Sequence, residues 1–262
     1  MTLPADDEVL DRRALHARIA ADLRDEIMSG DLPPGAKLPS TVRLKVRFGA
    51  SSATVQKALQ LLKEERLVVG RAGAAVTVRE NRQRTIRPDS SLAAAANGAA
   101  YPWLSEASRH GTTAHSILLE VAEATPPADV AAALALDEGE PVLLRRQLLH
   151  IDDEPAELVC SYYPQLIARG TPLAEFVKIK GGTPTLLTQL GHPPRRSVDR
   201  VAARVPTQEQ CHALRLPSDM PVLRTLRTVF GDDDRPVEVT VMVKAGHLYE
   251  LQYEFVPRRP HP

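Results

Sequence analysis

Residues 15–62 carry apolar side chains in three short helical bursts, each cut off by residues that cannot continue a helix. This punctuation limits the possible fold more than any other feature. Leu15, Ile19, Leu23 and Ile27 recur every four residues, with Arg18, Asp22, Arg24 and Glu26 on other faces. That spacing predicts an amphipathic helix over about 14–28. Ser29-Gly30-Asp31-Leu32-Pro33-Pro34-Gly35 ends it, because glycine permits a left-handed cap and proline lacks the next N–H. Ser40 suits the N-cap of a second helix reaching about Phe48, with Val42, Leu44 and Val46 as its apolar candidates. After the tight turn Phe48-Gly49-Ala50-Ser51, Ser51 or Ser52 can cap a third helix that buries Val55, Ala58, Leu59 and Leu62. Helices this short are marginal alone in water, so the three must share a core.

Two apolar runs follow, Leu67-Val68-Val69 and Ala75-Val76-Thr77-Val78, around Gly70-Arg71-Ala72-Gly73-Ala74. They predict a β-hairpin with a basic tip. Helix, short helix, turn, helix and hairpin is the order of a winged helix-turn-helix, spanning about residues 10–80. The third helix offers Ser52, Gln56, Lys57, Gln60 and Lys63 opposite its apolar stripe, with no acidic residue among them. Such a face fits a DNA major groove, and the tip can carry Arg71 and Gly73 toward the backbone or minor groove.

Charge points the same way once it is located. The 262 residues hold 33 Lys+Arg and 33 Asp+Glu, a formal net charge of zero. Within residues 37–79, however, nine basic residues face only Glu64 and Glu65, a balance of +7 over 43 residues. Residues 81–262 carry 20 basic and 22 acidic residues, so the remainder is slightly acidic. Phosphate binding needs local positive charge, and the neutral total does not oppose it.

Residues 81–103 read as a linker: Asn81 to Ser91 is polar and basic, and Leu92 to Ala100 is alanine-rich. From about 104 to 258 strands alternate with short helices. Strands are expected at Ile117–Glu123, Val142–Ile151, Ala156–Tyr163, Pro221–Phe230, Val237–Val243 and Leu248–Val256. Helices are expected at Ala128–Leu134, Thr183–Leu190 and Thr207–Leu214, the last two with threonine N-caps. Asp152-Asp153-Glu154-Pro155 and Gly231-Asp232-Asp233-Asp234-Arg235-Pro236 close hairpins. No internal repeat stands out. The expected fold class is therefore two-domain: an N-terminal winged helix-turn-helix and a C-terminal α+β antiparallel-sheet domain.

Leu32-Pro33-Pro34-Gly35-Ala36-Lys37-Leu38-Pro39-Ser40, Arg47-Phe48-Gly49-Ala50-Ser51, Ala53-Thr54-Val55 and Ala58-Leu59 resemble the N-terminal domain of GntR-type transcription regulators. Asp153-Glu154-Pro155, Ser161-Tyr162-Tyr163-Pro164 and Arg235-Pro236-Val237-Glu238 resemble its HutC branch, whose C-terminal UTRA domain has a chorismate-lyase-like fold. The resemblance implies a cytoplasmic homodimer, a repressor that binds a palindromic double-stranded operator and is modulated by a small-molecule effector. It implies DNA contacts from Lys37, Ser40, Arg43, Arg47, Ser51 and Thr54. Thr41, Ser52 and Gln56 depart from the family's usual Glu, Arg and Arg, which shifts reading away from guanine. Gly73-Ala74-Ala75 keeps only one of the two glycines usual in the wing.

On the effector side, relatives place an Arg-x-Arg pair before the Glu-Pro turn to hold an anionic group. Gln147 and Leu149 stand there in this chain, with Arg145 and Arg146 just upstream. Neighbouring strand residues face opposite sides, so at most one of those arginines faces a pocket. Ser161, Tyr162, Glu238 and Tyr249 complete the expected effector set, and Lys244 stands where an aromatic residue is common. A sugar phosphate is accordingly a poorer fit than in relatives.

Other chemistry is weakly signalled. Gly181-Gly182-Thr183 lacks the full P-loop pattern and reads as a turn. The eight histidines show no H-x-x-x-H spacing, and Cys160 and Cys211 are too few for a cysteine zinc site or a disulfide scaffold. No catalytic residue, metal ligand or cofactor is expected. The acidic start, Asp6-Asp7-Glu8, and the lack of a long apolar run argue against a signal peptide or membrane span. Two alternatives stay open for the C-terminal domain: dimerisation without a ligand, or an enzyme like chorismate lyase.

Overall fold

The computed structural model describes residues 11–70, 75–80, 84–86, 113–217 and 220–254. The chain divides into two compact units, Met1–Arg84 and Thr85–Pro262. Three residues of the stretch expected to be linker form a strand, Arg84–Ile86 (β3), while its alanine-rich part lies outside the described residues.

The first unit has three helices, α1 Leu15–Ser29, α2 Thr41–Phe48 and α3 Ser52–Glu64, then strands β1 Val68–Val69 and β2 Thr77–Val78. Gly30 and Gly49 end the first two helices at φ 96 and 57, left-handed values that suit a residue without Cβ. Ser40 and Ser51 cap α2 and α3, their hydroxyls accepting from Arg43 N and Thr54 N. Ile19, Ala20, Leu23 and Ile27 of α1 bury with Leu44 and with Val55, Ala58, Leu59 and Leu62 of α3. Arg24 clamps the end of α3 with two bonds to the buried Glu65, at 2.8 and 2.5 Å. Val42 and Val46 were expected to be apolar contacts but are 70% and 82% exposed. They share one face of α2, and Leu44 points the other way, so no single stripe can hold all three. β1 and β2 pair antiparallel with Val68 opposite Val78, and the hairpin tip is outside the described residues.

The second unit is a six-stranded antiparallel sheet. Its strands are β4 Ala114–Ala124, β5 Val142–Ile151, β6 Glu154–Pro164, β7 Arg196–Arg204, β8 Val222–Phe230 and β9 Pro236–Ala245. Their order is β4-β5-β6-β9-β8-β7. Helix α4 Ala128–Leu134 lies between β4 and β5, and α7 Gln208–Leu214 between β7 and β8. The sheet is thus a βαββ unit used twice, the halves meeting at β6 and β9. This corrects the expectation of no repeat. Its trace is Ala133-Leu134, Leu136 and Pro141-Val142-Leu143 against Ala213-Leu214, Leu216 and Pro221-Val222-Leu223. The likeness is held mainly at apolar and turn positions and, on the cavity face, at Glu157 and Glu238.

One sheet face packs Leu158, Tyr162, Val222, Leu226, Val239, Val241 and Val243 under Val130, Leu134 and Leu214 of the two helices. On the other face, α5 Gln165–Ala168, the 3-10 turn Pro172–Ala174 and α6 Thr183–Gln189 cover one end. There Tyr163, Ile167, Leu173, Leu187, Val229 and Val237 form a second cluster. The strand β10 Tyr249–Leu251 pairs with β3.

Several sequence expectations shift. β7 carries no expectation at all, since an edge strand with no buried residue shows no apolar alternation. Glu154 and Pro155 belong to β6, so the turn before them is only Asp152-Asp153, both at positive φ as a tight hairpin requires. Gly182 rather than Thr183 caps α6, whereas Thr207 does cap α7 in a full capping box. The last strand ends at Leu251.

Candidate nucleic-acid interface and candidate ligand pocket

The exposed face of the first unit is built from the two capped helix starts. Lys37, Ser40, Arg43, Arg47, Ser51, Ser52, Gln56 and Lys57 are exposed, and Thr41 and Thr54 are partly exposed. Ser40 and Ser51 spend their hydroxyls on caps, and Ser51 also bonds the Thr54 hydroxyl at 2.9 Å. The guanidinium of Arg47 is bonded to Glu26 of α1 and lies over the Phe48 ring at 4.7 Å. Its charge is thereby partly spent within the protein. Lys37, Arg43 and Lys57 have no ion pair among the described residues, so their charge is available to a polyanion. Gln56 Nε2 donates to Thr41 Oγ1 at 3.3 Å, joining α3 to the start of α2. Arg71 and Gly73 lie outside the described residues.

The second unit holds a cavity of about 190 Å³ on the sheet face opposite α4 and α7. Strand alternation decides what reaches it. Arg145, Gln147 and Leu149 of β5 line it, while Arg146 turns to the helix face, bonded to Glu120 and Glu209. Ser161 lines it, while Tyr162 joins the core under the helices, where burial pushes its hydroxyl up to about 12. Glu238 and Lys244 line it as well. Tyr249 packs instead with Ile151 and Ala156. Cys160 shares the helix side with Tyr162, its thiol pushed up by burial.

The cavity floor carries buried charged and polar side chains. Lys244 Nζ donates to Glu157 Oε1 at 2.9 Å, both residues nearly inaccessible. Arg227 grips Asp199 of β7 with two bonds of 2.7 Å. Glu238 accepts from the Tyr163 hydroxyl at 3.0 Å and from Thr240 at 2.8 Å, and Thr240 also bonds Ser161. Burial raises the Glu238 carboxyl above its ordinary range despite these bonds. Among the described residues Arg145 has no carboxylate partner: it donates to the backbone carbonyls of Leu173, Glu175 and Val177 at 2.5–2.8 Å, which holds that segment over the sheet. Its Nε is buried without a hydrogen bond, and desolvation lowers its basicity. Glu157, Asp199, Thr225, Arg227 and Thr240 escaped the sequence reading. For Glu157, Thr225, Arg227 and Thr240 the signal was polar residues at alternate positions of otherwise apolar strands, which also describes an exposed face, whereas Asp199 sits on a strand without apolar alternation.

Gly182, Thr183 and Pro184, the N-cap and first two residues of α6, also line the cavity. The Asp232–Asp234 tip is tied down by Arg195 and Arg196 at 2.8 and 2.6 Å. Among the described residues no helix is long and apolar enough to cross a membrane.

Comparison with known proteins places both units. Residues 15–78 match the model of bacterial regulatory proteins of the gntR family, and residues 109–250 match the UTRA domain. An uncharacterized HTH-type transcriptional regulator of Streptomyces coelicolor is 27% identical over 244 residues, 90% of this chain and 91% of the relative. The mannosyl-D-glycerate transport/metabolism system repressor MngR of Escherichia coli is 36% identical over 70 residues, 27% of this chain and 29% of the relative. The crystal structure of PhnF from Mycobacterium smegmatis shares the fold, with a TM-score of 0.55 at 21% identity over 90% of this chain and 99% of that one. Helix-turn-helix unit, antiparallel sheet unit and both family matches agree: the protein belongs to the gntR-family transcriptional regulators that carry a UTRA domain.

Proposed function

We propose that the protein is a homodimeric repressor that binds a palindromic operator through α2 and α3 and changes its affinity when a small molecule enters the sheet cavity. The observation that carries the ligand half is the cavity floor, where Arg145, Lys244, Glu157, Glu238 and Thr240 are all buried. Burying such groups costs stability that apolar residues would not, so a role for them in recognition accounts for their presence. The ligand is a compact polar molecule bearing hydroxyl or carboxyl groups. The relative named as a repressor supports the sign of regulation. The protein itself works in the cytoplasm, without a catalytic step.

For the DNA half, the bound duplex is selected from a random pool and affinity is then followed against salt. Arg43→Ala and Lys57→Ala each lower affinity and reduce the salt slope by roughly two, one phosphate contact from each protomer. If neither does, the assigned face is wrong. For the ligand half, polar metabolites are screened for a rise in the melting temperature of the full chain, and each hit is added to the operator titration. On this reading a stabilising ligand also shifts operator affinity, because it binds the DNA-competent and DNA-incompetent arrangements unequally. No stabilising ligand, beside intact operator binding, would favour a sheet domain that serves only for association, and conversion of a hit would make it an enzyme.

A further inference from the structure

The reading face of α3 holds one side chain fixed from another helix. Gln56 lies one helical turn beyond Ser52, exposed, with its Nε2 donating to Thr41 Oγ1 at 3.3 Å. Thr41 is the first residue of α2 and is half-buried. Neighbouring polar groups are committed within α3: Ser51 and Thr54 bond each other at the cap, and Gln60 donates to Glu64 at 3.0 Å. Gln56 is thus the exposed amide near the start of α3 that a second helix orients.

A primary amide carries two N–H donors and one carbonyl acceptor. With one N–H spent on Thr41, the other still stands beside Oε1 as an adjacent donor–acceptor pair. Adenine presents the complement in the major groove, an N7 acceptor beside an N6–H donor, whereas guanine presents two acceptors. Holding the amide before contact also lowers the rotamer freedom lost on binding. We infer that Gln56 reads an adenine in each operator half-site and that Thr41 is the positioning residue that sets its amide. The inference rests on the DNA-reading assignment above.

The test is base selection by the full chain from a random duplex pool, repeated for variants, with binding measured at several salt concentrations. The wild-type protein enriches one A·T pair per half-site, which Gln56→Ala releases with a loss of roughly tenfold in discrimination there. Gln56→Glu, an acceptor of the same shape, moves the preference at that position toward C·G, because cytosine N4 is a donor. Thr41→Val keeps adenine but narrows its advantage by roughly fivefold, the worth of one ordinary hydrogen bond. Thr41→Ser, which keeps the hydroxyl, restores it, and the salt slope stays constant in both. Unchanged preferences at every position in Gln56→Ala, or a half-site position that stays the same in Gln56→Glu, overturn the reader. Full adenine preference in Thr41→Val overturns the positioning role. A pool that enriches no motif at all overturns the DNA-reading assignment itself, while a motif insensitive to Gln56 leaves that assignment standing and removes only this inference.

Discussion

Glu157 and Glu238 occupy equivalent places in the two βαββ halves, yet they solve burial differently. The antiparallel register of β6 and β9 sets Glu157 opposite Lys244. At the other end of the same pairing, one step beyond Tyr162 opposite Val239, Glu238 meets Tyr163. The first carboxylate has a cation at 2.9 Å. The second is bonded by hydroxyls, Tyr163 and Thr240 among them, with the Arg227 charge acting on it more weakly, and burial holds its carboxyl above the ordinary range. One half of the cavity floor is therefore an ion pair, and the other is a hydroxyl network around a carboxyl that burial makes a weaker acid. The backbone repeats, and the partner residue sets how each buried carboxyl is compensated.

The largest effect comes from breaking the ion pair. Lys244→Met strands Glu157 as a buried unpaired carboxylate and lowers stability by about 3–5 kcal/mol in a denaturant titration. Lys244→Met with Glu157→Leu recovers most of that loss, because an apolar pair of similar volume replaces both charges. Failure of the double variant to recover would show that the pair is held by more than mutual compensation.

A smaller change follows at the other half. Tyr163→Phe removes one hydrogen bond to Glu238 and costs about 1 kcal/mol, with Thr240 still donating. A cost as large as that of Lys244→Met would mean that Glu238 is ionised and depends on the phenol.

The smallest effect at low pH is that of Glu238→Gln, and it sharpens the contrast through pH. The Glu238 carboxyl is raised in the folded state above its ordinary value of 4.5. The folded protein then retains a proton that the unfolded chain releases, so this contribution is fully present below that ordinary value. It is lost as pH rises through the raised folded value. Glu238→Gln removes the loss, so the variant gains on wild type as pH increases from about 4.5 upward. A constant difference across that range, followed by thermal unfolding, would place the two carboxyls in the same charge state.

Much of the first unit was legible in the sequence because short-range rules govern it. Ser40 and Ser51 announce helix starts, Gly30 and Gly49 announce helix ends, and the α3 stripe is the observed core. The exception is α2, where eight residues give too little period to separate Leu44 from Val42 and Val46. In the second unit the central strands were legible from apolar runs bounded by turn residues, and β7 was not, since its exposed edge leaves no apolar mark. Of the expected effector residues, Arg145, Gln147, Ser161, Glu238 and Lys244 share the cavity, while Arg146, Tyr162 and Tyr249 do not. Alternation could say that Arg145 and Arg146 diverge, but not which one faces inward.

By itself, then, the sequence determined what local chemistry controls: capped helices, a basic segment within a neutral chain, hairpins and the two-part organisation. Only the tertiary structure decided which side of the sheet is covered by helices and which is left as a cavity. It also decided that Gln56 meets Thr41, that Arg227 meets Asp199, and that two equivalent glutamates keep different company. The physical reason is distance along the chain. Caps and periodicity act over a few residues, whereas cross-strand partners lie far apart in sequence and are brought together by register, which no single segment encodes.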